Sequence, residues 1–217
     1  QKEYGLHVRA GNPQVPKVER LIKPIHIEEE FTGDFAGEKL SVTLGISLEN
    51  QKGKDENQVI FAQGLRLSAN YEAALHRAAE TAFAVGPSGG WPIVGAKLIV
   101  ERIIAPMSGD RRAETAVEVA ASAILRKAVS LAGSYILVPI VQVSVEVPDT
   151  WFGAALASLQ ARGARIEAVE DEGGIKSIIA YAPMENLFGY TTSLRSITEG
   201  RGIYQAKFDH YGNLNEY

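Results

Sequence analysis

The segment from Asn186 to Phe208, NLFGYTTSLRSITEGRGIYQAKF, limits the possible folds of this chain more than any other stretch. Its first half has apolar residues at helical spacing, which predicts an amphipathic helix. These residues are Leu187, Tyr190, Leu194 and Ile197. Asn186 is predicted to cap the start of the helix through its side chain. Gly200 is predicted to end it, because glycine readily adopts the left-handed conformation of a C-terminal cap. The alternating residues from Ile203 to Phe208 predict a strand that follows directly.

The sequence upstream of this segment supplies the rest of a ferredoxin-like domain. Valines at every second position from Val141 to Val147 predict a half-buried strand. A helix is predicted from Asp149 to about Ala161, followed by two strands joined by a hairpin turn at residues 171–174. The order strand–helix–strand–strand–helix–strand defines the split βαβ arrangement. We therefore predict a ferredoxin-like βαββαβ domain at residues 139–217.

Residues 15–137 have the pattern of a separate α+β domain. Strict alternation from Leu40 to Leu48 predicts a strand, and Ser68 is predicted to cap a helix. A second strand is predicted from Trp91 to Ile104, and a second helix ends near Ala132. The residues predicted to face inward on that helix are Val117, Ala121, Ile124, Ala128 and Leu131. Residues 1–14 are interpreted as the last strand of a preceding domain, so we expect a fragment of a longer protein.

The composition excludes several classes of function. The net charge of -4 argues against a broad coat of nucleic acid, because phosphate binding is largely electrostatic. The absence of cysteine excludes disulfides and thiolate ligands, and no long apolar run or signal peptide is visible, so a cytoplasmic protein is expected. The four histidines are scattered, and the glycines of residues 86–90 are not followed by the lysine of a phosphate-binding loop. We therefore predict no catalytic residue, cofactor site or metal site in this chain.

Two groups of residues are candidates for RNA contact. The first is the loop of Ser108, Gly109 and Asp110 with the arginine pair Arg111 and Arg112. Cations are disfavoured at a helix N-terminus, so a phosphate partner would compensate the pair, although an exposed pair that the fold tolerates explains it equally well.

The second group is formed by Arg195, Arg201 and Tyr204 near the end of the last helix. Capping of the helix end is an equally good explanation of the two arginines.

The motifs LFGY, LRS and T-x-G-R in residues 186–208 resemble the last domain of translation elongation factor G. Weaker resemblances in the right order are the junction Gly11–Val15 and the Gly-Pro and Gly-Trp-Pro motifs of residues 86–92. The resemblance implies the fourth and fifth domains of that factor. It implies ribosomal partners: the tRNA–mRNA complex in the decoding site for the fourth domain, and ribosomal RNA with the stalk base of the large subunit for the fifth. GTP and magnesium would bind only in a GTPase domain upstream, and a monomer is expected.

The sequence departs from this family at the end of the arm. Family members that catalyse translocation carry a glycine-rich basic loop, whereas residues 31–38 read FTGDFAGE. The candidate contacts in this loop are Thr32, Gly33, Asp34 and Gly37. In the second loop Ser108 takes the place of a histidine. These changes predict a divergent relative that serves translocation or, given the altered loops, ribosome recycling or rescue. The alternative is an independent ferredoxin-like module for regulation or small-molecule binding.

Overall fold

The computed structural model describes residues 15–107 and 110–214 and divides them into two compact units. Residues Lys17–Leu137 form the N-terminal unit, and residues 138–214 form the C-terminal unit. Both mix helices with sheets, which confirms the α+β class. The strand predicted within residues 1–14 lies outside the described residues. None of the helices in the described part of the chain combines the length and apolarity that a membrane span requires.

The N-terminal unit is a four-stranded sheet covered on one face by two helices. Its elements are β1 (Val18–Leu21), β2 (Ile25–Phe35), β3 (Glu38–Asn50), β4 (Gln58–Phe61), α1 (Ala69–Phe83), β5 (Ala96–Ile104) and α2 (Arg111–Ala132). The strands lie in the order β2-β3-β5-β4, antiparallel except for the parallel pair β4 and β5. β1 lies outside this sheet. It pairs with residues 134–137, the first residues of the strand that follows α2.

The core of this unit follows the predicted periodicities. Val42, Leu44, Ile46 and Leu48 are buried at alternate positions of β3. Ser68 accepts a hydrogen bond from the Tyr71 N–H (3.3 Å) and caps α1 as predicted. The buried stripe of α2 includes four of its five predicted members, Val117, Ala121, Ile124 and Ala128.

The predictions for Leu131 and for the strand start at Trp91 are wrong. Leu131 is 47% exposed, because the last turn of α2 buries Ala128, Val129 and Ala132 instead. The strand predicted from Trp91 begins only at Ala96, because residues 86–91 curl around a buried carboxylate.

That carboxylate belongs to Glu19, whose two oxygens accept four hydrogen bonds. Glu19 is 0% exposed. Its Oε1 accepts from the N–H groups of Gly89 (2.8 Å) and Trp91 (3.0 Å), and its Oε2 accepts from the Ser88 N–H (3.0 Å) and the Ser134 hydroxyl. Burial raises the pKa of Glu19, but the hydrogen bonds outweigh it and the net shift is downward. Glu19 is therefore an ionised group that ties β1 to this loop and to the start of the next strand.

The C-terminal unit has the predicted ferredoxin-like topology. Its elements are β6 (Ser134–Pro148, of which residues 138–148 belong to this unit), α3 (Asp149–Ala161), β7 (Arg165–Glu172), β8 (Ile175–Pro183), α4 (Tyr190–Ile197) and β9 (Ile203–Gly212). The sheet is antiparallel in the order β9-β6-β8-β7, with both helices on one face. Gly173 (φ 62°) and Gly174 (φ 90°) form the two-residue turn between β7 and β8.

The segment 186–208 folds as helix, turn and strand, but the helix starts later than predicted. α4 begins at Tyr190, after a 3₁₀ turn at Met184–Leu187 and a left-handed Gly189 (φ 73°). The capping role predicted for Asn186 is therefore wrong. At the other end α4 stops at Ile197 with Thr198 as its C-cap, so the prediction that Gly200 caps the helix is wrong by two residues. Gly200 is left-handed as predicted (φ 82°), and it donates its N–H to the Arg195 carbonyl (2.8 Å).

Arg162, at the end of α3, explains why the chain before α4 takes this path. Its guanidinium donates to the carbonyls of Asn186 (2.8 Å) and Phe188 (3.1 Å) and to the Ser193 hydroxyl (3.0 Å). It also lies 5.2 Å from the centre of the Tyr190 ring. Burial raises the pKa of Tyr190 to about 12. One arginine therefore fixes the loop that leads into the last helix.

Candidate functional site

The end of the β2–β3 hairpin is the first part of the candidate site. The two strands pair until Phe35 lies opposite Glu38, so only Ala36 and Gly37 form the turn. Both turn residues are left-handed, with φ values of 55° and 83°, and Ala36 is strained because a side chain disfavours that conformation. Asp34 Oδ1 accepts the Gly37 N–H (2.9 Å) and closes the turn.

The predicted loop residues Thr32, Gly33 and Asp34 therefore belong to strand β2, and their assignment to a turn is wrong. Thr32 lies on the sheet face away from the helices, where its hydroxyl is hydrogen-bonded to that of Ser41 (2.7 Å). A Cβ at Gly33 would lie 2.9 Å from the Phe35 ring and 3.1 Å from the Phe31 ring. A side chain at position 33 would therefore displace at least the Phe35 ring.

The start of α2 is the second part of the site. Asp110 caps the helix by accepting the Arg112 N–H (2.9 Å), and its Oδ2 accepts from Nε of the same arginine (3.0 Å). These hydrogen bonds lower the pKa of Asp110. Ser108 and Gly109, the other predicted residues of this loop, lie outside the described residues.

Arg112 joins the two parts. Its Nη1 lies 3.1 Å from Glu38 Oε2 on β3, so one guanidinium connects the hairpin to the helix start. A depression of about 260 Å³ lies between them, lined by Phe35, Ala36, Arg111, Arg112 and Thr115. We call the group of Glu38, Asp110 and Arg112 the Arg112 bridge. The structure thus brings together two segments that are far apart in the sequence.

The two arginines of the pair differ in their surroundings. The acids around Arg112 raise the pKa of its guanidinium, with Asp110 as the largest contributor. The guanidinium therefore stays charged, and the negative charges of these acids offset its positive charge. The Arg111 side chain is exposed and has no hydrogen bond or ion pair with any residue that the structure describes. Lys39 on β3 is likewise exposed and unpaired among the described residues. Arg111 and Lys39 are therefore the cations here that are available to an anionic partner.

Glu38 belongs to the altered loop of residues 31–38 but was not predicted as a contact, and Lys39 was not predicted at all. An acid next to the hairpin turn, considered together with an arginine pair at a helix start, is the signal that could have suggested the ion pair.

The remaining predicted residues lie in the C-terminal unit, near the end of α4. Arg195 is exposed in the last turn of α4, and the Arg201 guanidinium lies 5.0 Å from the centre of the Trp151 ring. Tyr204 packs edge-on against Tyr190 (5.2 Å between ring centres), and burial raises its pKa. Tyr204 therefore has a role in packing, whereas the exposed Arg195 side chain has no ion pair among the residues that the structure describes.

Known proteins resemble this chain over its full length. The model of the family described as Elongation factor G C-terminus matches residues 136–217. Elongation factor G of Thermotoga neapolitana is 30% identical over 223 aligned positions, which cover 100% of this chain and 31% of the relative. The factor of Thermotoga maritima gives the same identity and coverage, 30%, 100% and 31%. The chain thus spans about a third of the length of these relatives.

A solved structure has the same fold. The crystal structure of the protein ttk003000868 from Thermus thermophilus superposes with a TM-score of 0.81 at 27% identity. The match covers 92% of this chain and 30% of that protein.

Proposed function

Because the whole chain is related to the C-terminal part of elongation factor G, we propose that it is the ribosome-engaging arm of a translation factor of that kind. The N-terminal unit would be the arm that approaches the decoding site and its tRNA–mRNA complex. The C-terminal unit would lie near RNA and the stalk base of the large subunit, with Arg195 and Arg201 as contacts. GTP and magnesium would bind elsewhere in a longer, cytoplasmic and monomeric protein.

The observation that carries this proposal is the joining of two sequence segments at one end of the N-terminal unit. The resemblance placed residues 31–38 in the first loop at the end of the arm and Ser108 in the second, and this second segment continues directly into Arg111 and Arg112. Those parts of the two segments that the structure describes meet through Arg112 and Glu38. A stand-alone regulatory module would have no reason to keep both segments at one exposed end.

The charges at this end bear on the step that the arm serves. Four carboxylates and three cations leave the hairpin end and the first turn of α2 with a net charge of -1. They are Asp34, Glu38, Asp110, Glu114, Lys39, Arg111 and Arg112. Such a surface attracts phosphate much less than the basic loop of the translocating factors does. We therefore propose recycling or rescue, in which ribosomal subunits are separated or freed, rather than fast translocation.

A binding experiment tests the ribosome-engaging role. The 217-residue chain, labelled at its N-terminus, is titrated with bacterial ribosomes while anisotropy is followed. Binding that excess elongation factor G displaces supports the proposal. Arg111→Gln should weaken binding and reduce the salt dependence of log K by roughly 0.7–0.9, the value for one lost phosphate contact. Arg126→Gln, an exposed arginine further along α2, is the control and should change neither quantity. Absence of competition would favour the independent module.

A chimera tests which step of translation the chain serves. The C-terminal third of an ordinary elongation factor G is replaced by this chain, and two rates are compared: tRNA–mRNA movement and separation of post-termination ribosomes. We expect slow movement with separation retained. Movement as fast as with the unmodified factor would refute the assignment to recycling or rescue.

A further inference from the structure

We propose that Arg112 is a positioning residue that sets the geometry of the arm's end through Glu38 and Asp110, and that it does not itself contact RNA. The inference rests on the proposed function, since it concerns how the same surface meets its partner. It separates two adjacent arginines that look equivalent in the sequence.

The charge balance of the Arg112 bridge supports this assignment. Arg112 is surrounded by Asp110 Oδ2, 2.9 Å from one terminal nitrogen, and Glu38 Oε2, 3.1 Å from the other. Two carboxylates and one guanidinium give the group a net negative charge. An RNA phosphate that approached this group would be repelled by it, unless one of the ion pairs were first broken.

The shape of the hairpin end indicates why a positioning residue is needed there. Ala36 holds a left-handed conformation that is unfavourable for an L-residue, and such strain persists only when the surroundings fix it. Glu38 follows two residues later, and its ion pair with Arg112 attaches this side of the turn to α2. The guanidinium is suited to this task, because its planar fork addresses two carboxylates in fixed directions.

Replacement of Glu38 distinguishes positioning from direct contact, because the two roles predict opposite signs. If Arg112 contacted RNA, Glu38→Gln would free its charge, remove a repelling acid and tighten binding. If Arg112 acts through Glu38, the same change weakens binding. We expect Glu38→Gln and Arg112→Gln each to weaken ribosome binding by about two- to fivefold, the equivalent of one exposed ion pair.

The double variant and the salt dependence complete the test. Glu38→Gln with Arg112→Gln should be no weaker than either single variant, since both remove the same link. In these variants the salt dependence of log K should equal that of the unaltered chain, whereas Arg111→Gln should reduce it. Arg112→Lys should also weaken binding although it keeps the charge, because an ammonium group cannot bridge both acids. Glu118→Gln, which breaks the Arg77–Glu118 pair between α1 and α2, is the matched control and should have no effect.

The outcomes separate this inference from the function on which it rests. Tighter binding by Glu38→Gln, or a reduced salt dependence for Arg112→Gln, would overturn the positioning role and leave the ribosome-engaging role intact. Failure of the unaltered chain to bind ribosomes would overturn both. The bridge residues are about half exposed, so the variants should fold, which circular dichroism checks.

Discussion

Replacement of Glu19 by glutamine should strongly destabilise the N-terminal unit. The carboxylate accepts four hydrogen bonds, three of them from backbone N–H groups in the loop of residues 86–91. A glutamine would turn an NH₂ group towards two of these donors and leave them unpaired in a buried place. Since an unpaired buried donor costs about 1–3 kcal/mol and hydrogen bonds to charged groups are the stronger ones, we expect a loss of about 3 kcal/mol.

The two tryptophans allow this loss to be measured in one unit at a time. Trp91 donates its backbone N–H to Glu19, and Trp151 lies in the C-terminal unit. In a Trp151→Phe background, fluorescence therefore reports unfolding of the N-terminal unit. With an m value of about 2 kcal/mol per molar urea, Glu19→Gln should lower the midpoint by about 1.5 M. Glu30→Gln, an exposed glutamate of β2, serves as control and should stay within about 0.5 kcal/mol.

The pH dependence provides a second check. The pKa of Glu19 is lower in the folded chain than its ordinary value of 4.5, so the folded state binds fewer protons than the unfolded state. The stabilisation by Glu19 is therefore complete above its ordinary pKa and is lost as the pH falls through its folded pKa. The difference in unfolding free energy between the unaltered chain and Glu19→Gln should shrink below about pH 4. A cost under about 0.5 kcal/mol, with no such change with pH, would refute the reasoning.

Further predictions concern the C-terminal unit, whose urea unfolding is read from Trp151 fluorescence in a Trp91→Phe background. Gly200→Ala should cost about 1 kcal/mol or more, because Gly200 is left-handed although space around it is open. Gly153→Ala should instead stabilise the unit by about 0.5–1 kcal/mol, because Gly153 is helical with open space around it. If both alanine variants changed the unfolding free energy in the same direction, this explanation would be contradicted. Arg162→Lys should cost about 2 kcal/mol, because an ammonium group loses the paired guanidinium hydrogen bonds to the loop before α4. Arg195→Lys is the control and should change the unfolding free energy by less than about 0.5 kcal/mol. Equal costs for the two variants would show that the paired hydrogen bonds are unimportant.

Local patterns in the sequence were sufficient to predict most of the fold. The alternation in β3 and the cap at Ser68 depend on neighbours within a few residues, and both were predicted correctly. The errors occurred where distant partners override a local signal. Gly33 and Asp34 favour a turn by composition, yet full pairing with β3 keeps them in a strand. Asn186 is a good capping residue, but Arg162 binds its carbonyl and the helix starts later.

The candidate site was harder to predict, for a related reason. The sequence indicated the arginine pair and the altered hairpin, but not that they touch. Spacing treats Arg111 and Arg112 alike, whereas only Arg112 is paired with Glu38, which comes from another strand. Tyr204 is a similar case, since its packing against Tyr190 depends on the sheet that brings β9 beside the core.

The β2–β3 hairpin extends beyond the sheet that supports it. β5 pairs with residues 43–50 of β3, so residues 38–42 pair only with β2. A two-stranded ribbon is marginally stable alone in water, and here it depends on its packing against α2 and on the Arg112 bridge. The free energy of local opening should therefore fall along the hairpin from its root to its turn. The hairpin would then have a stiff base and an end whose shape depends on the Arg112 bridge, so loss of that bridge should free the turn without unfolding the sheet.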